Sequence, residues 1–408
     1  MSIPMYLPKY IKCELDGGNG FAVLFDATKL SDKDQKELWD EEPGEMSNLK
    51  KEIDTLKDKY EEVYKADPRT AQKVGWWLNP LNKDLKDALT HRFGVTHPSN
   101  GFLKMFEMLA ANKFYAMKLV KGEKINVFGN AELPGAMIYA VNHFYAQNGI
   151  KMDFVFSSLV DPKDPNKLGD EYGLTEKYRD RFIPFIGGDD WTGNVADPRE
   201  IEHMEAVVSE RYPGGVDLYF ADGGINVDDN FNDQDKANSH VGIGQIICGL
   251  LTLRKGGTLI VKQYNFTGSW VWTLNLLVAS VFTKCEIVKP KTSRHSNSET
   301  YIVAHDYVRP NSKFRDYLYA FVRHCKDSNN YVRDILPRTK LVPPTDIQQF
   351  IVDDFTKAMS QLIEYIRKAE EIGRIGFLVQ IMKKIAPRET RNWISQVRIM
   401  PLPAGYDL

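Results

Sequence analysis

The spacing of hydrophobic positions changes twice along the chain. Between residues 46 and 65, apolar side chains recur every three or four positions, which is typical of an amphipathic helix or a short coiled coil. The middle of the chain instead alternates short continuous apolar runs with helical patterns, and the last hundred residues return to helical spacing. The pattern therefore predicts three parts: an N-terminal extension at 1–95, a central α/β domain at 96–310 and a C-terminal helical region at 311–408.

The central region alternates predicted helices with predicted strands. A first helix at 101–114 has one apolar face and leaves Lys104 off that face. The predicted strands lie at 124–129, 152–158, 216–221, 257–264, 284–289 and 299–305. Further helices are predicted at 135–147, 239–254 and 269–283. Near-continuous apolar strands that alternate with helices favour a doubly wound, mostly parallel sheet.

The last two predicted strands are joined by the short loop 290–298. A parallel crossover needs a dozen or more residues, so these strands form a hairpin and the last strand is antiparallel. Glu299, which opens it, therefore lies at the edge where the parallel strands end. Asp222 and Lys262 stand at the carboxyl ends of two of those strands, and Lys104 can approach from its helix. Open α/β sheets bind ligands at this edge, so the four side chains are predicted to share one cleft.

Two lysines and two carboxylates in one cleft are suited to proton transfer. Burial and a neighbouring ammonium favour the neutral amine of a lysine, whereas nearby carboxylates favour its charged form. Their balance can bring the pKa of one lysine toward that of a general base. The other members would hold a hydroxyl in line with an electrophile.

Composition narrows the class of protein. Apolar residues make up 43% and charged residues 26% of the 408, the balance of an ordinary globular protein. The formal net charge of −2 gives no global signal for nucleic-acid binding, which would have to be local. The four cysteines are far apart and lack metal-ligand spacing, so neither a disulfide framework nor a zinc site is predicted.

The cysteine usage, the N-terminal sequence and the length of the apolar stretches together predict an intracellular location. The N-terminus lacks the pattern of a signal peptide, and the longest apolar helical stretch is too short to span a bilayer comfortably. No membrane association is therefore expected. The cytoplasm is the expected compartment, and the nucleus remains an alternative.

The order Lys104, Asp222, Lys262, Glu299 resembles the K-D-K-E tetrad of FtsJ-like ribose 2'-O-methyltransferases. The segments FLKMFEM, VDLYFADGG, GGTLIVKQY and KPKTSRHSNSETYIVA around these residues are also similar to family motifs. The resemblance covers roughly residues 96–308 and is greatest for cap-directed enzymes of large cytoplasmic DNA viruses. It implies a Rossmann-like sheet, S-adenosylmethionine as the methyl donor, no metal, and RNA as the substrate, with 5'-capped mRNA favoured.

The resemblance also implies roles for the tetrad and its surroundings. Lys262 would activate the 2'-hydroxyl, and the other three members would orient it and tune its charge. Residues implied in binding the methyl donor are Gly129, Asn130, Glu132, Leu133, Pro134, Gly135, Asp222 and either Asp189 or Asp190. Residues implied in binding RNA are Tyr264, Arg294 and Ser298.

The donor loop departs from the family pattern at one position. Where a second glycine commonly follows Pro134, this chain has Ala136 after Gly135. The departure bears on donor affinity and leaves open an inactive RNA-binding scaffold with the same fold. Methylation of ribosomal or transfer RNA is the other open alternative. A nicotinamide-dependent dehydrogenase is disfavoured, because no G-x-G-x-x-G follows the first strand.

Several other residues carry weaker signals. Trp76 and Trp77 could stack on a methylated guanine, but packing is favoured. His143 and His203 lie in helical patterns and are expected to be structural or at the surface. The basic residues Arg388, Arg391 and Arg398 could contact phosphates or a partner protein, and solvation is the default. The N-terminal amphipathic helices could also bind a protein partner.

Overall fold

The structure is a computed structural model that describes residues 5–7, 9–15, 44–112, 124–161, 168–188, 191–224, 238–264, 269–327 and 345–408. The strands are β1 (Ile11–Glu14), β2 (Lys124–Asn130), β3 (Lys151–Phe156), β4 (Val216–Ala221), β5 (Leu253–Tyr264), β6 (Phe282–Lys289) and β7 (Glu299–Tyr307). The first six helices are α1 (Gly44–Ala66), α2 (Pro68–Trp77), α3 (Lys83–Phe93), α4 (Asn100–Ala111), α5 (Ala136–Ala146) and α6 (Leu174–Lys177). The others are α7 (Pro198–Arg211), α8 (Ser239–Thr252), α9 (Ser269–Val281), α10 (Ser312–Asp327), α11 (Thr345–Ile372) and α12 (Gly376–Val397).

The strands form one seven-stranded sheet in the order β1-β6-β7-β5-β4-β2-β3. Strands β3, β2, β4 and β5 pair in parallel, and β7 is antiparallel to both β5 and β6. The predicted α/β fold, a mostly parallel sheet with an antiparallel last strand, is confirmed. Tyr301 pairs with Lys262 on one side and Val288 on the other, so the hairpin places the start of β7 beside the end of β5.

Strand β1 was not predicted. It pairs antiparallel with β6 and forms one edge of the sheet, so the N-terminal part of the chain contributes a strand to the central domain. The strand is four residues long and only partly buried. So short a run has no readable periodicity, and its partner strand lies more than 250 residues further along the chain.

Helix ends follow signals in the sequence. Helix α4 begins after Ser99, whose hydroxyl accepts a hydrogen bond from the Phe102 amide at 3.4 Å. Helix α7 begins with Pro198 after Asp197, whose carboxylate accepts from the Arg199 amide at 3.0 Å. Helix α3 ends at Gly94, which adopts a left-handed conformation with φ of 69°.

Helices cover both faces of the sheet. One apolar cluster joins α7, α8, α9 and α10 to one face, and a second joins α3, α4, α5 and the end of α12 to the other. A third cluster, away from the sheet, packs α1 and α2 against α11 and the start of α12. The apolar face of the predicted N-terminal amphipathic helix, represented by Ile53 and Val63, thus packs on the chain's own C-terminal helices. The described helices include none long and apolar enough to cross a bilayer.

Candidate active site

The four tetrad side chains meet at the carboxyl edge of the parallel strands. Both Glu299 carboxylate oxygens lie 3.1 Å from Lys104 Nζ, which is also 3.6 Å from Asp222 Oδ2. Lys262 Nζ lies 3.3 Å from Asp222 Oδ1 and donates a hydrogen bond to the Asp222 carbonyl at 2.5 Å. The side chains form a continuous chain of alternating charge in the order Glu299, Lys104, Asp222, Lys262.

Lys104 lies in a different environment from the one its spacing indicated. The sequence placed it off the apolar face of its helix, but the side chain is buried and the residue is only 8% exposed. Helix α4 is buried on nearly every side, between α5, α12 and the hairpin, so its polar positions also face the interior. A buried ammonium is tolerated here because two carboxylates surround it.

The carboxylates keep both lysines charged. Burial acts to lower the pKa of Lys104, but Asp222 and Glu299 outweigh it and raise that pKa. Burial is likewise outweighed at Lys262, whose pKa is raised by Asp222, Tyr264 and Glu299. Burial acts to raise the pKa of Glu299, but three lysines including Lys289 lower it to about 2. The charges of the protein alone therefore move the pKa of both lysines away from that of a general base.

Two tyrosines complete the cleft. Tyr301 donates a hydrogen bond from its hydroxyl to Asp222 Oδ1 at 2.7 Å, and its ring centroid lies 5.3 Å from Lys104 Nζ. The Tyr264 ring centroid lies 5.5 Å from Lys262 Nζ. A Cβ atom at Gly224 would lie only 2.1 Å from the Tyr264 hydroxyl, so a larger residue there would displace the Tyr264 side chain. The sequence analysis did not single out Tyr301, although it follows Glu299 by two residues and so shares its face of β7.

The loop between β6 and β7 is held from several sides. Ser293 donates to Glu299 Oε1 at 2.9 Å, and Lys289 donates to the Glu299 carbonyl at 2.6 Å. The buried carboxylate of Glu107 accepts hydrogen bonds from the Lys291 and Thr292 amides at 3.1 and 3.0 Å. Sequence reasoning missed these supports, because hydrogen bonds between distant segments leave no periodic signal.

The proposed RNA-binding residues occupy different positions around this loop. Tyr264 lies in the cleft and is partly buried, Arg294 is exposed on the loop, and Ser298 is buried at the end of the loop. The structure therefore places Tyr264 next to the tetrad, whereas Arg294 is exposed on the loop that precedes Glu299.

The donor loop follows β2 and leads into α5. Gly135 has φ of 103°, and a Cβ atom there would lie 2.6 Å from Leu174 Cδ2, so the turn requires glycine. Glu132 is turned inward and accepts hydrogen bonds from the Met137 and Ile138 amides at 2.6 and 3.2 Å, which caps α5. Burial, followed by the nearby Asp222 charge, raises the pKa of Glu132 well above its usual range. The Glu132 carboxylate therefore stabilises the loop from its buried side.

The remaining donor-loop residues are packed closely around the same turn. A Cβ atom at Gly129 would lie 2.8 Å from Phe220 Cζ, which leaves room only for glycine. Leu133 packs against the apolar cluster around α4 and α5, and the peptide bond between Leu133 and Pro134 is cis. The acidic candidates Asp189 and Asp190 lie outside the described residues.

Polar atoms suited to a ligand lie at the ends of the neighbouring strands β2 and β3. Asn130 Oδ1 and Ser157 Oγ are buried, and neither has a hydrogen-bond partner within the described parts of the chain. A buried polar atom without a partner is costly, so both atoms fit a site completed by a bound polar molecule. S-adenosylmethionine, with amino and hydroxyl donors, has the chemistry to satisfy them. In the described ranges, no group of three or more His, Cys, Asp or Glu residues could hold a metal ion.

Several weaker candidates have structural surroundings. The His143 ring nitrogen Nε2 lies 2.7 Å from the Met400 carbonyl, and His203 stacks on Trp191 with centroids 3.9 Å apart. Trp77 packs against the helical cluster of α1, α2 and α11, whereas Trp76 is 39% exposed.

The basic residues near the C-terminus lie at the surface. Arg388, Arg391 and Arg398 are all exposed. Arg388 pairs with the adjacent Glu389 at 3.2 Å, and Glu389 in turn binds Lys291 of the hairpin loop at 2.7 Å. Helix α12 therefore places exposed basic side chains near the loop that carries Arg294.

Removing one member of the Lys104–Glu299 pair is expected to destabilise the protein more than removing both. The variant Glu299→Leu leaves a buried ammonium with Asp222 as its remaining carboxylate, which is expected to lower the free energy of unfolding by about 3 kcal/mol. The double variant Lys104→Met/Glu299→Leu removes both charges and should recover most of that loss. Urea denaturation of the wild type, both single variants and the double variant measures the coupling. A double variant less stable than either single one would contradict the pairing.

Comparison with known proteins identifies a family for the central part of the chain. Residues 98–307, just over half of the chain, match the family described as FtsJ-like methyltransferase. A probable methyltransferase, EP424R of African swine fever virus (isolate Pig/Kenya/KEN-50/1950), is 30% identical over 273 residues, which is 65% of this chain and 61% of that protein. The cap-specific mRNA (nucleoside-2'-O-)-methyltransferase 2 of Danio rerio is 27% identical over 276 residues, covering 66% and 35% of the two chains. The match thus spans less than two thirds of each relative's length.

Solved structures are less similar in sequence than these relatives. The crystal structure of a putative ribosomal RNA methyltransferase from Plasmodium falciparum is 15% identical, with a TM-score of 0.29, and covers 50% of this chain and 96% of that one. The family match is therefore the finding that identifies the protein. The chain belongs to the FtsJ-like methyltransferase family, as its sequence motifs predicted, and its cofactor is S-adenosylmethionine.

Proposed function

We propose that this chain methylates the 2'-hydroxyl of an RNA ribose, and that its acceptor is the cap-proximal nucleotide of mRNA. The observation that carries the proposal is the meeting of Lys104, Asp222, Lys262 and Glu299 at the ligand-binding edge of the sheet. An unactivated hydroxyl needs a base to accept its proton and a rigid site to hold it in line with the methyl group. A tetrad with two lysines held by carboxylates provides both.

Lys262 is the base in this mechanism. Its neutral amine would accept the proton of the ribose hydroxyl as the hydroxyl oxygen bonds to the methyl carbon. The methyl–sulfur bond of the donor would break in the same step and leave the sulfur as a neutral thioether. Bound S-adenosylmethionine supplies an electrophilic methyl group on a positively charged sulfonium. A positive charge near Lys262 opposes the effect of Asp222 and lowers the pKa of the ammonium, which must lose its proton before it can act. The carbonyl and carboxylate of Asp222 fix the position of the Lys262 nitrogen.

The other residues fix the geometry of the site and balance its charges. Lys104 keeps its positive charge, because the Glu299 carboxylate lies 3.1 Å away, and can donate to the ribose oxygen as negative charge develops on it. Tyr301 donates a hydrogen bond to Asp222 Oδ1, the same oxygen that lies near Lys262. These groups hold one another in place, so their positioning costs little during the reaction.

The donor loop supports an active enzyme over an inactive scaffold. Ala136, which departs from the family pattern, is the first residue of α5. Its methyl group faces Gly101 of α4, where an added Cβ atom would lie 3.2 Å from that methyl group. The alanine methyl is therefore accommodated by a neighbouring helix. The turn itself keeps Gly135 in its left-handed conformation.

Exposed positive charge supports RNA as the substrate, and similarity to a known protein supports the cap-proximal position. Arg294 is exposed on the loop that precedes Glu299, and α12 adds exposed Arg388 and Arg391 near the same loop. Exposed arginines on neighbouring segments suit the phosphates of RNA. The similarity to a cap-specific mRNA (nucleoside-2'-O-)-methyltransferase favours the cap-proximal ribose as the acceptor.

A methyl-transfer assay with paired RNAs tests the choice of acceptor. Two RNAs of the same sequence, one with a methylated guanine cap and one with a 5' triphosphate, are incubated with the protein and a radiolabelled methyl donor. We expect the capped RNA to be labelled at least about tenfold faster, a difference that corresponds to about 1.4 kcal/mol of stabilisation from contacts to the cap. Equal labelling of both would indicate an internal site, as in ribosomal or transfer RNA. No labelling and no donor binding would support the scaffold.

A further inference from the structure

The last residue of β6, Lys289, binds the hairpin loop that delivers Glu299. Its ammonium donates three hydrogen bonds: to the Asn297 carbonyl at 2.7 Å, to Asn297 Oδ1 at 2.8 Å and to the Glu299 carbonyl at 2.6 Å. The residue is 4% exposed. Asn297 Oδ1 also accepts from the Glu299 amide at 3.3 Å. Lys289 and Asn297 together therefore fix the backbone on both sides of Glu299.

The geometry uses every proton of the ammonium. A lysine ammonium has three donors and no acceptor, and Lys289 has three acceptors within hydrogen-bond distance. A neutral amine would have two donors, and its lone pair would face an oxygen atom. Loss of one proton would therefore remove one of the three bonds and introduce repulsion at the start of β7.

We propose that Lys289 is a positioning residue for the methyl-transfer reaction, which holds Glu299 in place through the backbone of residues 297–299. This inference rests on the proposed function. Glu299 in turn holds Lys104 with both carboxylate oxygens, so a shift of the β7 backbone is transmitted to the tetrad. A displacement of about 1 Å in a catalytic site can lower the rate by about a hundredfold.

The charge of Lys289 acts on the same carboxylate. Burial is the largest influence on Lys289 and lowers its pKa to about 8, although Glu299 and Asp354 oppose this change. Lys289 is in turn one of three lysines that lower the pKa of Glu299. The charged and titratable groups around these two residues are Lys104, Asp222, Lys262, Tyr264, His295, Tyr301 and Asp354.

The sign of the expected pH dependence follows from the hydrogen bonds. Below pH 8, Lys289 carries three protons and all three bonds are made. As the pH rises through about 8, the ammonium loses a proton, the loop loses one bond, and methyl transfer is expected to decline. Asn297 stabilises the charged form, so its removal should lower the pKa of Lys289 and move the decline to lower pH.

The pH–rate profile of four proteins tests the inference between pH 6 and pH 10, with kcat measured at saturating donor and RNA. Lys289→Met is expected to lower kcat by roughly ten- to a hundredfold and to lack the alkaline decline. Asn297→Ala is a partly exposed and milder change, expected to keep the decline but at lower pH. Lys255→Met, an exposed lysine at the other end of β5, should match the wild type. An unchanged alkaline decline in Lys289→Met would overturn the inference.

Hydrogen exchange separates this inference from the proposed function. Amides of residues 291–299 are expected to exchange faster in Lys289→Met and Asn297→Ala than in the wild type or Lys255→Met. Unchanged exchange in both loop variants would overturn the tether whether or not the protein methylates RNA. A wild type that methylates no RNA would refute the proposed function, and faster exchange in the variants would still establish Lys289 as the residue that holds the loop.

Discussion

Replacing Lys262 with arginine is expected to lower kcat for methyl transfer by about 10²- to 10⁴-fold, as far as replacing it with alanine. Arginine keeps the positive charge that pairs with Asp222 and can fill much of the same space. It is not deprotonated in proteins, so it has no lone pair with which to accept the proton of a hydroxyl. If Lys262 acts as the base, a variant that keeps the positive charge at this position therefore does not keep the activity.

Donor affinity is measured in the same Lys262 variants, so that a loss of kcat can be separated from a loss of donor binding. Calorimetry is expected to give a donor affinity within about threefold of the wild type for both Lys262→Arg and Lys262→Ala, a difference of less than 1 kcal/mol. Lys255→Arg, an exposed change in the same strand, serves as the matched control. A Lys262→Arg variant that keeps a tenth or more of the wild-type kcat would show that the residue acts only as a cation.

The pH dependence of the wild type provides a second view of Lys262. Burial acts to lower the pKa of its ammonium, but Asp222, Tyr264 and Glu299 outweigh it and raise that pKa. The reactive form is the neutral amine, so kcat is expected to rise with pH as Lys262 loses its proton in the ternary complex, up to the pH of about 8 at which loss of the Lys289 proton begins the decline. This rising part of the profile should be missing in Lys262→Ala.

The placement of Glu299 could be predicted from the sequence, because it depends only on the length of the loop between β6 and β7. The loop between β6 and β7 is too short for a parallel crossover, which forces a hairpin and brings Glu299 to the edge where Asp222 and Lys262 lie. The strands of this region can be recognised in the sequence as near-continuous apolar runs, because both faces of the sheet are covered.

Lys104 shows where such reasoning stops. Helical spacing separates apolar from polar positions, and a lysine at a polar position is taken as solvent-facing. Here the polar side of α4 faces the hairpin, so Lys104 and Glu107 are both buried and bound to the loop or to Glu299. Burial of charge depends on partners nearly 200 residues away, which a local pattern cannot show.

The supports of the hairpin loop were hidden for the same reason. Lys289, His295 and Glu107 look like ordinary polar residues in the sequence. In the structure His295 Nδ1 lies 2.7 Å from Asp354 of α11, which links the loop to the C-terminal helices. The terminal parts of the chain, predicted only as additions, thus contact the loop that carries a tetrad residue.

An RNA that lacks only the 2'-hydroxyl of its first transcribed nucleotide is expected to accept no methyl group. The proposed reaction forms a bond between that oxygen and the methyl carbon, so its replacement by hydrogen removes the acceptor itself. The loss should therefore exceed that of any single substitution in the protein. The backbone charge and the cap are unchanged, so RNA affinity, measured by competition against labelled capped RNA, should stay within about threefold, less than 1 kcal/mol.

This substitution gives the most direct test of where the methyl group goes. Three capped RNAs are compared: unmodified, 2'-deoxy at the first nucleotide, and 2'-deoxy at the third nucleotide as the matched control. We expect equal incorporation of labelled methyl into the unmodified RNA and the control, and none into the RNA with the 2'-deoxy first nucleotide. Full incorporation into that RNA would contradict the first transcribed nucleotide as the acceptor.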